Sequence, residues 1–365
     1  MSVLANDDVA WSWAEAQDSD REPLLVLEPL ISFLSDLGIA AGIPRVEPLG
    51  DGLSNATFGL SFEGGPELVL RRPPRGPLPP AAHDVLREAD VITRLAGGAV
   101  PVPVIVAACD DATLIGAPFY LSERLRGTVP VSGLPPWLER PAARRRYGER
   151  LAETLAAIHA VDLAATALQH LGRASGYLDR QISRHRLLWE NSRTRELPVV
   201  TWLADWLSEF QPRHSEVTLV HGDFHPANVM IAEEPEARVL AVLDWELASR
   251  GDPLADVGYL CALWRETNDP PGHPLERGPV TRGEGSLTRK ELLQHYAEAS
   301  GRSVAGHGWY EVLALWRAVI FMEGNFRRAS LGAADTPFLR AAGDHAPRLA
   351  KLALERVRAL EGGEL

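Results

Sequence analysis

A short β-like island inside an otherwise helical C-terminal half constrains this chain most. It is VTLVHGDFHPANVMIAEEPEARVLAVLDWE, residues 217–246. Around it run amphipathic helical patterns: RRYGERLAETLAAIHAVD and residues 177–190, 199–210, 288–299, 309–329 and 337–360. Within the island Val217–Val220 reads as a strand, and VMI and RVLAVLD as two more. Gly222 and Pro226 make residues 221–228 a loop. A plain helical bundle is therefore excluded. The spacing puts Asp223, Asn228 and Asp244 at the ends of neighbouring strands, where they can converge. One carboxylate can accept the proton of an attacking hydroxyl. An amide and a second carboxylate supply the hard oxygen ligands that suit Mg²⁺. That is the minimum equipment for phosphoryl transfer, a reaction dominated by positioning and charge neutralisation. His221, Asp223 and His225 could instead ligate a transition metal for hydrolysis, but that leaves Asn228 and the DWE segment without roles.

The N-terminal third has a different texture. Residues 24–40 are helix-like, and then RVEPLGDGLSNATFGLSFEGGPELVLRRPP alternates as short strands around Gly-rich turns. AAHDVLREADVITRLAG is a helix, and VPVPVIVAACDDATLIGAPFYLSERLRG returns to strands. Of the net charge of −12, a balance of −7 falls in residues 1–43, so the chain has no broad basic face for nucleic acid. No apolar run approaches the roughly 18 residues that span a bilayer. The first residues, MSVLANDDVAWSW, have neither a basic leader nor an apolar stretch like a secretory signal, and two cysteines are too few for a disulfide framework. The expectation is a cytoplasmic enzyme without nucleic-acid or membrane partners. Lys290 and Lys351 are the only lysines among 37 basic residues, which nearly removes Schiff-base chemistry.

HGDFHPANVMI followed by VLDWE resembles the catalytic loop and metal-binding segment of the aminoglycoside phosphotransferase and choline kinase-like family. The resemblance implies an α+β, bilobal protein-kinase-like fold: a β-rich N-lobe with one helix, and a helix-rich C-lobe with a small β-insert. The implied division is a helical extension over 1–43, a nucleotide-binding lobe over 44–126, and a catalytic and substrate-binding lobe over 127–365. Position by position, Asp223 becomes the catalytic base, and Asn228 and Asp244 the magnesium ligands. His221 supports the loop, and Asp256 in GDPLADVGYL braces it. Gly50, Gly52, Ser54 and Asn55 fall where the family holds nucleotide phosphates. Arg71 falls at the family's lobe cation and Glu88 at its helix carboxylate; Arg72 points to the opposite strand face. Backbone groups near Glu123 and Leu125 match the segment that binds an adenine edge. The implied requirements are ATP (or GTP) and Mg²⁺, with a small-molecule hydroxyl as acceptor.

RRPP, AHDVLRE, YLDRQISR, DWELASRGDPLADVGYL and FMEGNFRRA resemble, more narrowly, the kinase-like domain of acyl-CoA dehydrogenase 10/11-type proteins. That subgroup implies a hydroxyacyl or other anionic or neutral acceptor and a link to acyl-CoA metabolism. Residues 139–196 carry eleven Arg against seven Asp/Glu, which suits a polycationic aminoglycoside poorly. Trp137, Trp189, Trp202, Trp206, Trp264 and Trp316 are candidates either for an acyl pocket or for core. Two other functions stay open: a nucleotide-binding regulatory module with little catalysis, suggested by the missing lobe lysine, and an aminoglycoside-type antibiotic kinase.

Overall fold

The computed structural model describes residues 8–17, 21–49, 55–76, 83–131, 133–173, 175–213, 216–276, 278–331 and 337–363. Two compact units result. One is Met1–Arg126 with Ala241–Glu246, and the other Gly127–Leu240 with Leu247–Leu365.

The first unit begins with β1 (Val9–Ala10), α1 (Trp13–Ala16), β2 (Leu25–Val26) and α2 (Leu27–Asp36). The region read as a helical extension thus also holds a small parallel β1–β2 pair. It continues with β3 (Arg45–Leu49), β4 (Ala56–Ser61), β5 (Glu67–Arg72), α3 (Val85–Leu95), β6 (Ile105–Cys109) and β7 (Phe119–Glu123). These five strands form one antiparallel sheet in the order β3-β4-β5-β7-β6. Strand β5 alternates strictly, with Leu68, Leu70 and Arg72 buried on one face. Leu24, Leu25, Leu30 and Leu34 from the N-terminal segment pack with Phe58, Leu60, Leu68 and Leu70, so that segment covers this face. Arg72, only 3% exposed, is satisfied there by the carbonyls of Leu24, Pro73 and Ile115. On the other face, helix α3 buries Val85, Glu88, Ala89 and Ile92.

The second unit contains α4 (Pro141–His159), α5 (Tyr177–Ser192), α6 (Pro198–Glu209), β8 (Thr218–Val220), β9 (Val229–Ile231), β10 (Val239–Val242), β11 (Ser249–Gly251), α7 (Pro253–Leu263), α8 (Arg289–Ser300), α9 (His307–Ser330) and α10 (Pro337–Glu361). The last residues of β10 belong to the first unit. Strand β8 pairs antiparallel with β11, setting Val220 opposite Ser249. A large core joins α5, α6, α7, α9 and α10 around Trp189, Trp206 and Trp316. The indoles of Trp316 and Trp264 donate to the carbonyls of Val200 and Leu287. Trp189, Trp206, Trp264 and Trp316 are thus core residues rather than pocket lining, whereas Trp202 is 44% exposed.

Helices α7 and α9 approach closely because α7 carries Gly258. A Cβ at that position would stand 2.4 Å from Tyr310 Cβ and 2.6 Å from its carbonyl carbon. Gly258→Ala must therefore separate two packed helices. We expect it to lower stability by about 1–3 kcal/mol, measured as a shift in the urea midpoint at unchanged slope.

Candidate active site

In the first unit three side chains meet around Arg71. Its Nε donates to Glu88 Oε2 at 2.9 Å and its Nη2 to Asp244 Oδ1 at 2.8 Å. Strand β5 aims Arg71 at this face because the alternate residues Leu70 and Arg72 occupy the other. Glu88 is 1% exposed and also accepts from the backbone N–H of Trp245 at 3.2 Å. Burial pushes the Glu88 carboxyl up to about 7, with Arg71 pulling it back and Asp244 and Glu246 raising it. Burial alone would weaken the Arg71 cation, but Glu88 and Asp244 more than restore it, so it stays protonated.

Asp244 has a φ of 65°, in the left-handed region that few non-glycine residues adopt. Several bonds hold the segment there. Val242 N–H donates to Pro101, Trp245 N–H to Glu88, and Arg87 to the Glu246 carbonyl. A further network escaped the sequence reading. Asn55 Nδ2 donates to Glu246 Oε2 at 2.9 Å, and His83 Nδ1 lies 3.0 Å from Asn55 Oδ1. Asn55 therefore fastens the start of β4 to the DWE segment through Glu246. Gly50, Gly52 and Ser54 lie outside the described residues. At the end of β7 the Glu123 N–H is committed to the Val104 carbonyl, and Leu125 follows in irregular chain.

In the second unit the HGDFHPAN loop folds around its own polar groups. Gly222 has a φ of 86°, and a Cβ there would lie 2.8 Å from the Leu247 carbonyl oxygen, so only glycine fits. Asp256, 1% exposed near the start of α7, braces the turn. Its Oδ2 accepts from His221 N–H at 2.7 Å and its Oδ1 from Gly222 N–H at 2.8 Å. His159 closes α4 and links Tyr296 to Asp256, a support that only a helix-end histidine in LAAIHAVD hinted at.

The loop brings Asp223 and Asn228 together. Asn228 Nδ2 donates to the Asp223 carbonyl at 2.9 Å and to its Oδ2 at 3.1 Å, which leaves the amide oxygen as the outward acceptor. His225 Nε2 stands 3.5 Å from Asp223 Oδ2. Burial would raise the Asp223 carboxyl, but His225, the Tyr259 hydroxyl and His221 overcome it and hold the group below the usual carboxylate range. Asp223 is therefore ionised at neutral pH. His221 Nδ1 accepts from Asp223 N–H and His225 Nδ1 from Ala227 N–H, so these nitrogens serve the loop's own backbone. Among the described residues no group of three or more His, Cys, Asp or Glu is arranged to hold a metal ion. The histidine-rich hydrolytic metal site is not formed. Taken unit by unit, the Asn228 amide oxygen and the Asp244 carboxylate oxygen not given to Arg71 are each hard oxygen donors of the kind Mg²⁺ takes.

A β-sheet unit built on an Arg–Glu pair and a helical unit carrying an H-G-D…N loop define a kinase-like phosphotransferase fold. Residues 45–299 match the phosphotransferase enzyme family, APH, and the chain belongs to it. It is 34% identical over 307 residues to mouse acyl-CoA dehydrogenase family member 10, covering 83% of this chain and 28% of that protein. It is likewise 34% identical over 300 residues to chicken acyl-CoA dehydrogenase family member 11, covering 80% of this chain and 38% of the relative. The chain thus spans well under half the length of these curated relatives. A solved structure from Ralstonia eutropha, provisionally titled an aminoglycoside phosphotransferase, is 31% identical with a TM-score of 0.75, covering 91% of this chain and 98% of that one. The aminoglycoside phosphotransferase APH(4)-Ia, crystallised with AMP-PNP and hygromycin B, shares the fold at a TM-score of 0.60, with 18% identity and coverage of 91% and 98%. No helix among the described residues is long and apolar enough to cross a membrane.

The bracing of the loop gives a test on stability. Asp256→Asn turns one acceptor into a donor against a buried N–H, so it should cost about 2–3 kcal/mol in thermal or urea unfolding. The Asp256 carboxyl is held below its ordinary value: burial opposes this, and His159 and His221 overcome it. A depressed folded-state pKa stabilises above the unfolded value near about 4 and loses that stabilisation as pH falls through the folded value. The gap between wild type and Asp256→Asn should therefore be full at pH 7 and shrink below about pH 4.

Proposed function

We propose that this protein transfers the γ-phosphoryl group of ATP, or GTP, to the hydroxyl of a small molecule, with Mg²⁺ required. One observation carries the reading: the Asp223 carboxylate is held by Asn228 and His225 on a loop whose backbone Asp256 clamps. Its neighbours hold the carboxyl below the usual range, so it is a weak base. A weakly basic carboxylate orients the acceptor hydroxyl and takes its proton late, as the bond to phosphorus forms. Asn228 through its amide oxygen, and Asp244 through the carboxylate oxygen not given to Arg71, are the proposed metal ligands. Bound Mg²⁺ would neutralise charge on the nucleotide phosphates. Arg71 takes the place of a lobe lysine. Glu88 and Asp244 fix its plane and leave Nη1 for a phosphate oxygen. Gly50, Gly52 and Ser54 are proposed to cradle the phosphates together with the backbone of Asn55, whose side chain is taken by Glu246 and His83. The Glu123 carbonyl and Leu125 backbone are proposed to meet the base.

The same division assigns nucleotide binding to 44–126 and catalysis and acceptor binding to 127–365. The names of the mouse and chicken relatives support a link to acyl-CoA metabolism, and the acceptor proposed with it is a hydroxyacyl or other anionic or neutral metabolite. The Arg71–Glu88 pairing favours catalysis over a purely nucleotide-binding module, because the arginine sits on the helix carboxylate as a working lobe cation must.

ADP release over a panel of hydroxylated metabolites tests this. Asp223→Asn should lower turnover at least about 100-fold while Mg·ATP still raises the melting temperature; equal turnover would refute the assignment. Arg71→Met should weaken Mg·ATP binding, and Arg71→Lys should restore part of it, because Lys keeps the charge but not the fork.

A further inference from the structure

Helices α5 and α9 run side by side in the second unit. Tyr177, at the start of α5, packs on Gly251 of β11, where a Cβ would meet its ring at 2.6 Å. His185 stacks 6.0 Å from Trp316, and Arg327 near the end of α9 donates to the Asn191 carbonyl. Along α9 one face carries Tyr310, Arg317, Phe321 and Gly324, spaced by seven, four and three residues. Tyr310 hands its hydroxyl to Asp252 at 2.6 Å, directly after β11. Arg317 stands two turns further on, about 10.5 Å along the axis. Beyond it the face opens: Phe321 is 58% exposed, and a Cβ at Gly324 would meet only Ser192, at 3.9 Å. On α5, Tyr177, Arg184 and Leu188 share a face at the same spacing, and Leu188 is 42% exposed.

Asp252 is the acid near this face, and its oxygens are taken by the Tyr310 hydroxyl and the Leu254 N–H. Arg317 is half-buried, and among the described residues neither it nor Arg184 has a carboxylate or carbonyl partner. Arg180, one turn before Arg184, donates to the carbonyls of Arg173 and Ser175. His185 cannot supply negative charge. Burial and the nearby Arg317 hold it neutral, pushed down to about 3, with Nδ1 facing the Gln181 carbonyl. Elsewhere in this unit half-buried arginines are bound, Arg195 by Glu323, Arg282 by Glu276 and Arg356 by Glu311, and Arg144 and Arg250 by backbone carbonyls. A desolvated guanidinium left unpaired presents its fork to whatever anion arrives.

We infer that Arg317, assisted by Arg184, is a specificity residue that grips an anionic oxygen pair on the acceptor, a carboxylate or a phosphate, while the acceptor's apolar segment lies along Leu188 and Phe321. The inference rests on the phosphotransferase reading and narrows it to acceptors that carry negative charge beside a hydrocarbon part. It accounts for the arginine excess in residues 139–196 and sets this face against polycations, which two unpaired guanidiniums repel.

The test measures acceptor binding without turnover. Titration calorimetry compares 3-hydroxydecanoate, its neutral methyl ester and 3-hydroxydecyl phosphate on wild type, Arg317→Met, Arg317→Lys and Arg184→Gln. Wild type should bind one or both anions at least about tenfold more tightly than the ester. Arg317→Met should remove that preference and leave ester binding unchanged, Arg317→Lys should keep part of it, and the exposed Arg184→Gln, which leaves the fold intact, should reduce it severalfold. Which anion wins identifies the head group. Equal affinity for anion and ester in wild type, or a preference that survives Arg317→Met, overturns the inference. Mg·AMP-PNP binding, measured alongside, reads the phosphotransferase assignment separately: its loss in wild type would sink that assignment, and its retention with no anion preference would sink only this one.

Discussion

The first unit depends on one guanidinium. Glu88 is nearly fully buried and Asp244 is held in a left-handed conformation, and both would be costly without a cation between them. Arg71 answers both with two separate N–H groups of one rigid plane. Breaking such a buried arrangement from one side costs about 3–5 kcal/mol, because the remaining carboxylates stay desolvated. The same contact ties three distant pieces of chain together: strand β5, helix α3 and the DWE segment from far downstream. A lysine could hold one carboxylate by charge, but it has no fixed fork with which to set the angle of both. Arginine here is thus a structural solution as well as a replacement.

The second unit solves a related problem with the opposite sign. Its essential buried charge is Asp256, and the partners are mostly backbone. Two consecutive N–H groups of the loop, at His221 and Gly222, point at one carboxylate. A carboxylate that accepts from adjacent amides fixes the path of the chain between them. That in turn fixes where Asp223 emerges. The histidines of the loop are spent on the same task, each accepting a backbone N–H two residues ahead. Rigidity therefore comes from polar groups whose bonds are internal to the loop, which leaves Asp223 and the Asn228 amide oxygen outward.

Much of this was legible in the sequence. Period-two alternation marked β4 and β5, amphipathic spacing marked α3, α5, α6, α8, α9 and α10 to within a few residues, and strand-flanked HGDFHPAN marked the loop. The losses have physical causes. Helix α7 buries almost every residue, so GDPLADVGYLCAL has no polar face to reveal its period. Strands β1, β2 and β11 are too short to carry a pattern. The Asn55–Glu246 bond joins residues 191 apart, a contact that no local rule can see. The tryptophans were ambiguous because a large apolar ring serves a core or a pocket equally well, and only burial separates Trp316 from Trp202.

The near-absence of lysine sharpens the meaning of each arginine. A lysine that finds no partner can shed its proton when buried, but a guanidinium cannot. Each buried arginine must therefore be satisfied by carboxylates, as Arg71 is, or by carbonyls, as Arg72 is. Carbonyls satisfy hydrogen bonds without cancelling charge, and burial accordingly lowers the Arg72 pKa to about 10, while paired carboxylates raise that of Arg71. Arg317 belongs to neither group. A fixed charge kept half out of water with no internal partner lowers the stability of the folded chain, and only an anion from outside can recover that loss. Among the described residues the other half-buried arginines are bound by carboxylates or carbonyls, and the proposed acceptor would supply the charge that Arg317 lacks.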